Sequence, residues 1–161
     1  MNRIEFFDRL ASFGDATAII DENGSYSYRD LLASSRSIAS SLLSGERDLE
    51  ERRVAFLVPS SFKYAAVMLG AWLAGGVAVP LCVSHPDPEL DYVLRDSGAA
   101  YVIASPGFGE RLARLAGSRG ARYIAVGDAL SARSAALPGL SGERRAMIIY
   151  TSGTTSRPKG V

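Results

Sequence analysis

Apolar positions along the chain switch between two spacings, and the switching predicts helices and strands in turn. Leu31, Leu32, Ile38, Ala39, Leu42 and Leu43 recur every three to four residues, the buried stripe of one helix. Ser27 stands before that stripe with Asp30 three residues on, a capping-box arrangement that predicts the helix start. Residues 54–58, Val-Ala-Phe-Leu-Val, are continuously apolar, as in a strand covered on both faces. Phe62, Ala65, Ala66, Leu69, Trp72 and Leu73 return to helical spacing, with Ser60 as the expected N-cap and Gly75-Gly76 as the stop. The β-branched run at 77–81 predicts the next strand, and Asp87-Pro88 opens a helix that buries Leu90, Val93 and Leu94 and ends at Gly98.

Weaker signals fill in the rest. A helix is expected over 3–12, ending at Gly14, and a strand over 17–21 followed by a Glu22-Asn23-Gly24 turn leading to Tyr26. Strands are expected at 101–104, 123–126 and 146–150, and a helix at 110–116. The segment 131–145, rich in Ser, Ala, Gly and Arg, reads as a surface excursion or a weak helix. The β-α-β-α order predicts an α/β fold, a layered, mostly parallel sheet flanked by helices.

Residues 64–83 contain no charge, and an uncharged apolar run of about 20 residues is the usual sign of a membrane span. Here the run divides at Gly75-Gly76 into a striped helix and a β-branched strand, so no membrane span is expected. The first residues carry acids and no apolar core, unlike a secretion or transit signal, which makes the cytoplasm the default.

Composition narrows the function classes. Apolar residues make up 47% of the 161-residue chain, enough to bury a core, and the net charge is +1. Such a balance gives no electrostatic case for a nucleic-acid partner. Cys82, the single cysteine, sits in an apolar run and reads as a small buried hydrophobe. His85, before a proline, reads as a turn residue with no orienting partner placed beside it.

The chemistry concentrates at 150–161. A strand delivers Thr151, Ser152, Gly153, Thr154, Thr155, Ser156, Arg157, Pro158 and Lys159, then Gly160. Gly153 and Gly160 permit positive φ and close approach of a ligand. Backbone amides of such a loop converge on anions, the hydroxyls add donors, and Lys159 adds a movable positive charge. The fitting guest is a polyphosphate. A Walker loop needs glycine directly before its lysine and a hydroxyl after it; Pro158 and Gly160 occupy those places.

Twelve consecutive residues, Tyr150 to Val161, resemble the signature YTSGTTGxPKGV of the adenylate-forming superfamily and depart from it only at Ser156, where the family has glycine. The likeness covers the whole chain: Gly24-Ser25-Tyr26-Ser27-Tyr28-Arg29-Asp30-Leu31, Val54 to Gly76 and on through Leu81, and Pro86 through Asp96-Ser97-Gly98-Ala99 resemble the family's segments. Gly75-Gly76-Val77-Ala78-Val79-Pro80-Leu81, His85-Pro86 and Ala146-Met147-Ile148-Ile149-Tyr150 look most like malonyl-CoA synthetases, including the acyl-CoA synthetase family member 3 type.

The resemblance implies an AMP-forming ligase using ATP, Mg²⁺ and coenzyme A on a small-molecule carboxylate, malonate for choice. It places residues 1–161 in the N-terminal portion of the large domain, with Thr151 through Lys159 on the β- and γ-phosphates. The catalytic residues, metal ligand and acyl pocket are expected beyond Val161, and the 161 residues alone are expected not to catalyse ligation. Another carboxylate-activating enzyme, such as a medium- or long-chain acyl-CoA synthetase or a peptide-synthetase adenylation domain, and a non-catalytic truncated paralogue are the alternatives.

Overall fold

The computed structural model describes residues 5–133, 135–151 and 158–161. A four-stranded parallel sheet forms its centre, ordered β4-β3-β5-β6, from β3 (Arg53–Leu57), β4 (Val77–Pro80), β5 (Ala99–Ala104) and β6 (Arg122–Ala125). Before it come helix α1 (Phe6–Ser12), the antiparallel pair β1 (Thr17–Asp21) and β2 (Gly24–Ser27), and helix α2 (Tyr28–Leu43). The crossovers are α3 (Phe62–Leu73), α4 (Asp87–Ser97) and α5 (Gly109–Ser118), and α6 (Val126–Leu130) follows β6.

Alternation along the strands builds two apolar layers, because successive side chains leave opposite faces of a sheet. Val54, Phe56 and Val58 join Tyr101 and Ile103 under α2, α3 and α6. Ala55 and Leu57 join Val102 and Ala104 under Leu90, Val93 and Leu94 of α4 and Leu112 and Ala116 of α5. Every strand residue from Val54 to Leu57 is fully buried, as expected for a sheet covered on both sides.

Helix α2 begins where its sequence signal put it. Ser27 Oγ accepts from the Asp30 amide, and Asp30 accepts from the Ser27 amide at 2.9 Å. For α3 the cap is Ser61, not Ser60: its Oγ accepts from the Tyr64 amide, while the Phe62 amide donates to Asp21 Oδ2 at 2.9 Å. Asp21 thus ties the β1–β2 hairpin to the positive end of α3. Burial on α3 is wider than a stripe, since Val67, Gly70 and Ala71 are also enclosed. Helix α6 replaces the end of the strand expected at 123–126, and Val126 and Ala129 fill the edge of the core. Among the described residues of 131–145 there is no helix.

The turn 49–52 carries two non-glycine residues at positive φ, Glu50 at 50° and Glu51 at 62°, closed by the Arg52 amide on the Leu49 carbonyl. Left-handed backbone costs roughly 1–2 kcal/mol per L-residue, and glycine gives back about 0.5–1 in lost backbone entropy. Glu50→Gly is therefore expected to raise the urea midpoint by the equivalent of about 0.5–1 kcal/mol at constant m. A lower midpoint would refute strain at this turn.

Candidate functional site

Segment 144–161 carries the candidate loop, and the rest of the fold holds it at several points. Arg144 donates through both terminal nitrogens to Asp48, at 2.7 and 2.6 Å, and the two side chains are only 28% and 21% exposed. The Arg144 guanidinium, against the opposing pull of burial, holds the Asp48 carboxyl below its ordinary range. Arg145 donates its amide and its guanidinium to Glu51, which the strained turn presents. A bidentate arginine–carboxylate pair fixes orientation as well as distance.

Next, residues 146–148 run beside β4. The Ala78 amide donates to Ala146 O and the Ile148 amide to Ala78 O, both at 2.9 Å, and the Trp72 indole N–H donates to Ala146 O at 2.6 Å. The continuous strand expected at 146–150 is thus a single parallel bridge, Ala78 with Met147, after which the chain leaves the sheet. It pairs instead with its own continuation. Ile149 and Val161 exchange both backbone hydrogen bonds, and β7 (Tyr150–Thr151) lies antiparallel to β8 (Lys159–Gly160) with Tyr150 opposite Gly160 and Thr151 opposite Lys159. The reason is local: partners so close in sequence close a small loop at little entropic cost.

The alternation of this stem sorts its side chains. Tyr150 turns toward α4 and donates its hydroxyl to Asp96 Oδ2 at 2.6 Å. Its phenol is pushed well above the ordinary range, by burial first and by the Asp96 carboxylate second, so it stays protonated and donating. Gly160 does not use the positive φ that glycine permits. Its requirement is room: an added Cβ would lie 2.9 Å from Ile148 Cγ2 and 3.0 Å from the Tyr150 ring. Thr151 and Lys159, directly opposite one another, share the other face. Both are exposed, and among the described residues Lys159 makes no ion pair, leaving its ammonium available to an anion.

Of the residues singled out from sequence, Thr151, Pro158 and Lys159 flank the loop mouth. Ser152, Gly153, Thr154, Thr155, Ser156 and Arg157 lie outside the described residues. Asp48, Glu51, Asp96, Arg144 and Arg145 were missed. Their partners are 54 to 96 residues away in the chain, and no local spacing signals such pairs.

Cys82 is exposed, not buried. Strand β4 ends at Pro80, so the apolar run outlasts the strand by several residues, and Cys82 falls in the turn closed by the His85 amide on the Cys82 carbonyl. The Ser84 hydroxyl, 3.1 Å from Sγ, and the amides of Ser84 and His85 lower the thiol's pKa. His85 does have a partner: its Nδ1 lies 3.5 Å from Glu89 Oε2, one helical turn on, a spacing the sequence displayed. No group of three or more His, Cys, Asp or Glu among the described residues could hold a metal ion, and no described helix is long and apolar enough to cross a membrane.

Comparison with known proteins gives the family. The family model described as AMP-binding enzyme matches residues 6–161. The mitochondrial malonate–CoA ligase ACSF3 of Xenopus laevis is 34% identical over 98% of this chain, and that of Bos taurus 39% identical over 96%. The chain spans 30% and 28% of those relatives' lengths. Among solved structures, apo MatB from Rhodopseudomonas palustris superposes with a TM-score of 0.84 at 28% identity, over 99% of this chain and 34% of that one. The ATP-bound form of that protein gives 0.83 at 29%.

Proposed function

From the premise that the chain belongs to the AMP-binding enzyme family, we propose that the whole protein is an AMP-forming acid–thiol ligase with malonate as its carboxylate. In the first step a carboxylate oxygen attacks the α-phosphorus of ATP, the bond to the bridging oxygen breaks, and pyrophosphate leaves. In the second the coenzyme A thiol attacks the acyl carbon, forming the thioester and releasing AMP and the thiol proton. Mg²⁺ would neutralise phosphate charge in the first step.

The observation that carries this reading is the stem of the loop. It presents Thr151 and Lys159, the latter without an ion pair among the described residues, on one exposed face while Tyr150 and Gly160 occupy the other. A carboxylate is a weak nucleophile, so the barrier is lowered chiefly by stabilising the charge that grows on departing pyrophosphate. Fixed donors aimed at that charge do this without reorganising at the moment of reaction. Thr151, Lys159 and the loop residues between them would hold the β- and γ-phosphates. Malonate is supported by the names of the relatives in the comparison. Its second carboxylate asks for a cation in the acyl pocket, and Arg144 and Arg145 are already engaged by Asp48 and Glu51.

The test is AMP formation by the full-length protein with ATP, Mg²⁺, coenzyme A and either malonate, acetate or octanoate. Malonate is expected to give a kcat/KM more than about tenfold above octanoate, a difference of roughly 1.4 kcal/mol. Release of ADP in place of AMP would overturn the ligase assignment. AMP release that is faster with octanoate would overturn malonate alone.

A further inference from the structure

We propose that Asp96 and Tyr150 are positioning residues for the phosphate loop, the first a fixed post on α4 and the second a strut that orients the hairpin stem; this rests on the ligase reading above.

Asp96 is badly placed for its own helix. It is the penultimate residue of α4, where the unsatisfied carbonyls make the helix end negative and a carboxylate is unfavourable. Arg95 and the Gly98 cap, in the left-handed conformation, already serve that terminus. Within the helix its Oδ1 lies only 3.5 Å from the Tyr92 hydroxyl; its short bond lies outside, where Oδ2 accepts the Tyr150 hydroxyl at 2.6 Å. A hydroxyl donating to a carboxylate makes a short, strong bond with a defined direction.

The post does not float. Arg53 at the start of β3 donates to the carbonyls of Ser97 (2.7 Å) and Gly98 (3.1 Å), so the end of α4 is fixed to the central sheet. The strut is confined as well. Gly160 lies against the Tyr150 ring with no space for a Cβ, and Tyr150, like Ile148 and Tyr92, packs against the buried layer that contains α4. Connection runs from β3 through Arg53, the α4 terminus and Asp96 to Tyr150. One residue further on, the chain reaches Thr151, whose cross-strand partner is Lys159. Because neighbours on a strand point to opposite faces, holding the Tyr150 side chain inward sets the outward direction of Thr151 and Lys159. Displacements of about 1 Å at a reacting centre can cost 10²-fold in rate, so a strut of this kind bears on rate without touching substrate.

The experiment uses the full-length protein and the variants Tyr150→Phe, Asp96→Asn and the double variant, with carboxylate-dependent ATP–pyrophosphate exchange as the assay. Tyr150→Phe keeps the ring and removes only the donor. It is expected to lower kcat/KM for ATP about tenfold. KM for the carboxylate should change less than about twofold, because the acyl group is not held by this loop. Asp96→Asn keeps an acceptor and should lose less, and the double variant should fall no further than Tyr150→Phe, since both changes break one bond. Independently of any substrate, hydrogen exchange at the amides of the stem, residues 149–151 and 159–161, should quicken in Tyr150→Phe. Unchanged exchange at the stem, or equal losses for ATP and carboxylate, would overturn the strut. If the unmutated protein shows no carboxylate-dependent exchange, the ligase reading falls, and the hydrogen-exchange comparison still decides whether Asp96 and Tyr150 hold the stem.

Discussion

Lys159→Ala in the full-length protein is expected to slow carboxylate-dependent ATP–pyrophosphate exchange by on the order of 10²-fold, the usual effect of removing one preorganised donor to developing charge. Lys159 is exposed, unpaired among the described residues, and held at its Cα by the β7–β8 pairing. Its substitution should leave the fold intact, because no buried contact depends on the ammonium. The loss should fall on kcat and on kcat/KM for ATP, since the interaction strengthens as pyrophosphate departs, and not on carboxylate binding. Lys159→Arg keeps the charge in a different shape and should recover part of the rate. An alanine variant that exchanges pyrophosphate at the normal rate would remove Lys159 from the site.

The largest effect on stability is expected at Gly70, inside α3. A Cβ there would stand 2.7 Å from Ile38 Cγ2, 2.8 Å from Ile38 Cβ and 3.0 Å from the Ser35 carbonyl oxygen of α2. Helix propensity alone favours alanine over glycine by about 1 kcal/mol. Overpacking against a branched side chain and a backbone oxygen opposes it, typically by 1–3 kcal/mol. Gly70→Ala is therefore expected to destabilise by about 1–2 kcal/mol and Gly70→Val by more than about 3, as two further methyl groups enter the same gap and a β-branched residue is stiffer in a helix. Gly117, in α5, has nothing within 4 Å of its Cβ position and serves as the control. Gly117→Ala should raise stability by about 0.5–1 kcal/mol. Urea midpoints that move the same way for Gly70→Ala and Gly117→Ala would refute close packing of α2 on α3.

Much of this fold could be read from short windows, and the reason is visible residue by residue. The stripe from Leu31 to Leu43 and the apolar run from Val54 to Val58 record burial directly, because a side chain's environment there follows from its place in a regular period. Ser27 and Asp30 satisfy each other within one turn, so their role too is local. The errors fall where periodicity stops. Cys82 belongs to an apolar run by composition and to an exposed turn by geometry. Residues 146–150 look like a strand from their side chains, yet the hydrogen bonds of 149–151 go to 159–161 and not to the sheet. The loop motif was legible as chemistry, from its hydroxyls, glycines and lysine. Its supports were not, because Asp96 and Tyr150 are 54 residues apart, and Asp48 and Arg144 are 96.

Those separations bear on the order in which the molecule assembles. The sheet grows through neighbouring β-α-β units, each closing a modest loop, whereas the Asp48–Arg144 and Glu51–Arg145 pairs join residues 96 and 94 positions apart. Contacts of such span gain little until the intervening chain is compact, since loop closure comes before any reward from contact. During synthesis, residues 48–51 and α4 emerge long before Arg144 and Tyr150 do. The carboxylates that receive the hairpin are then made before the hairpin, which docks onto them afterwards. Mutations that weaken the Asp48 and Glu51 clips should accordingly leave the folding rate of the body almost unchanged and quicken the detachment of the hairpin.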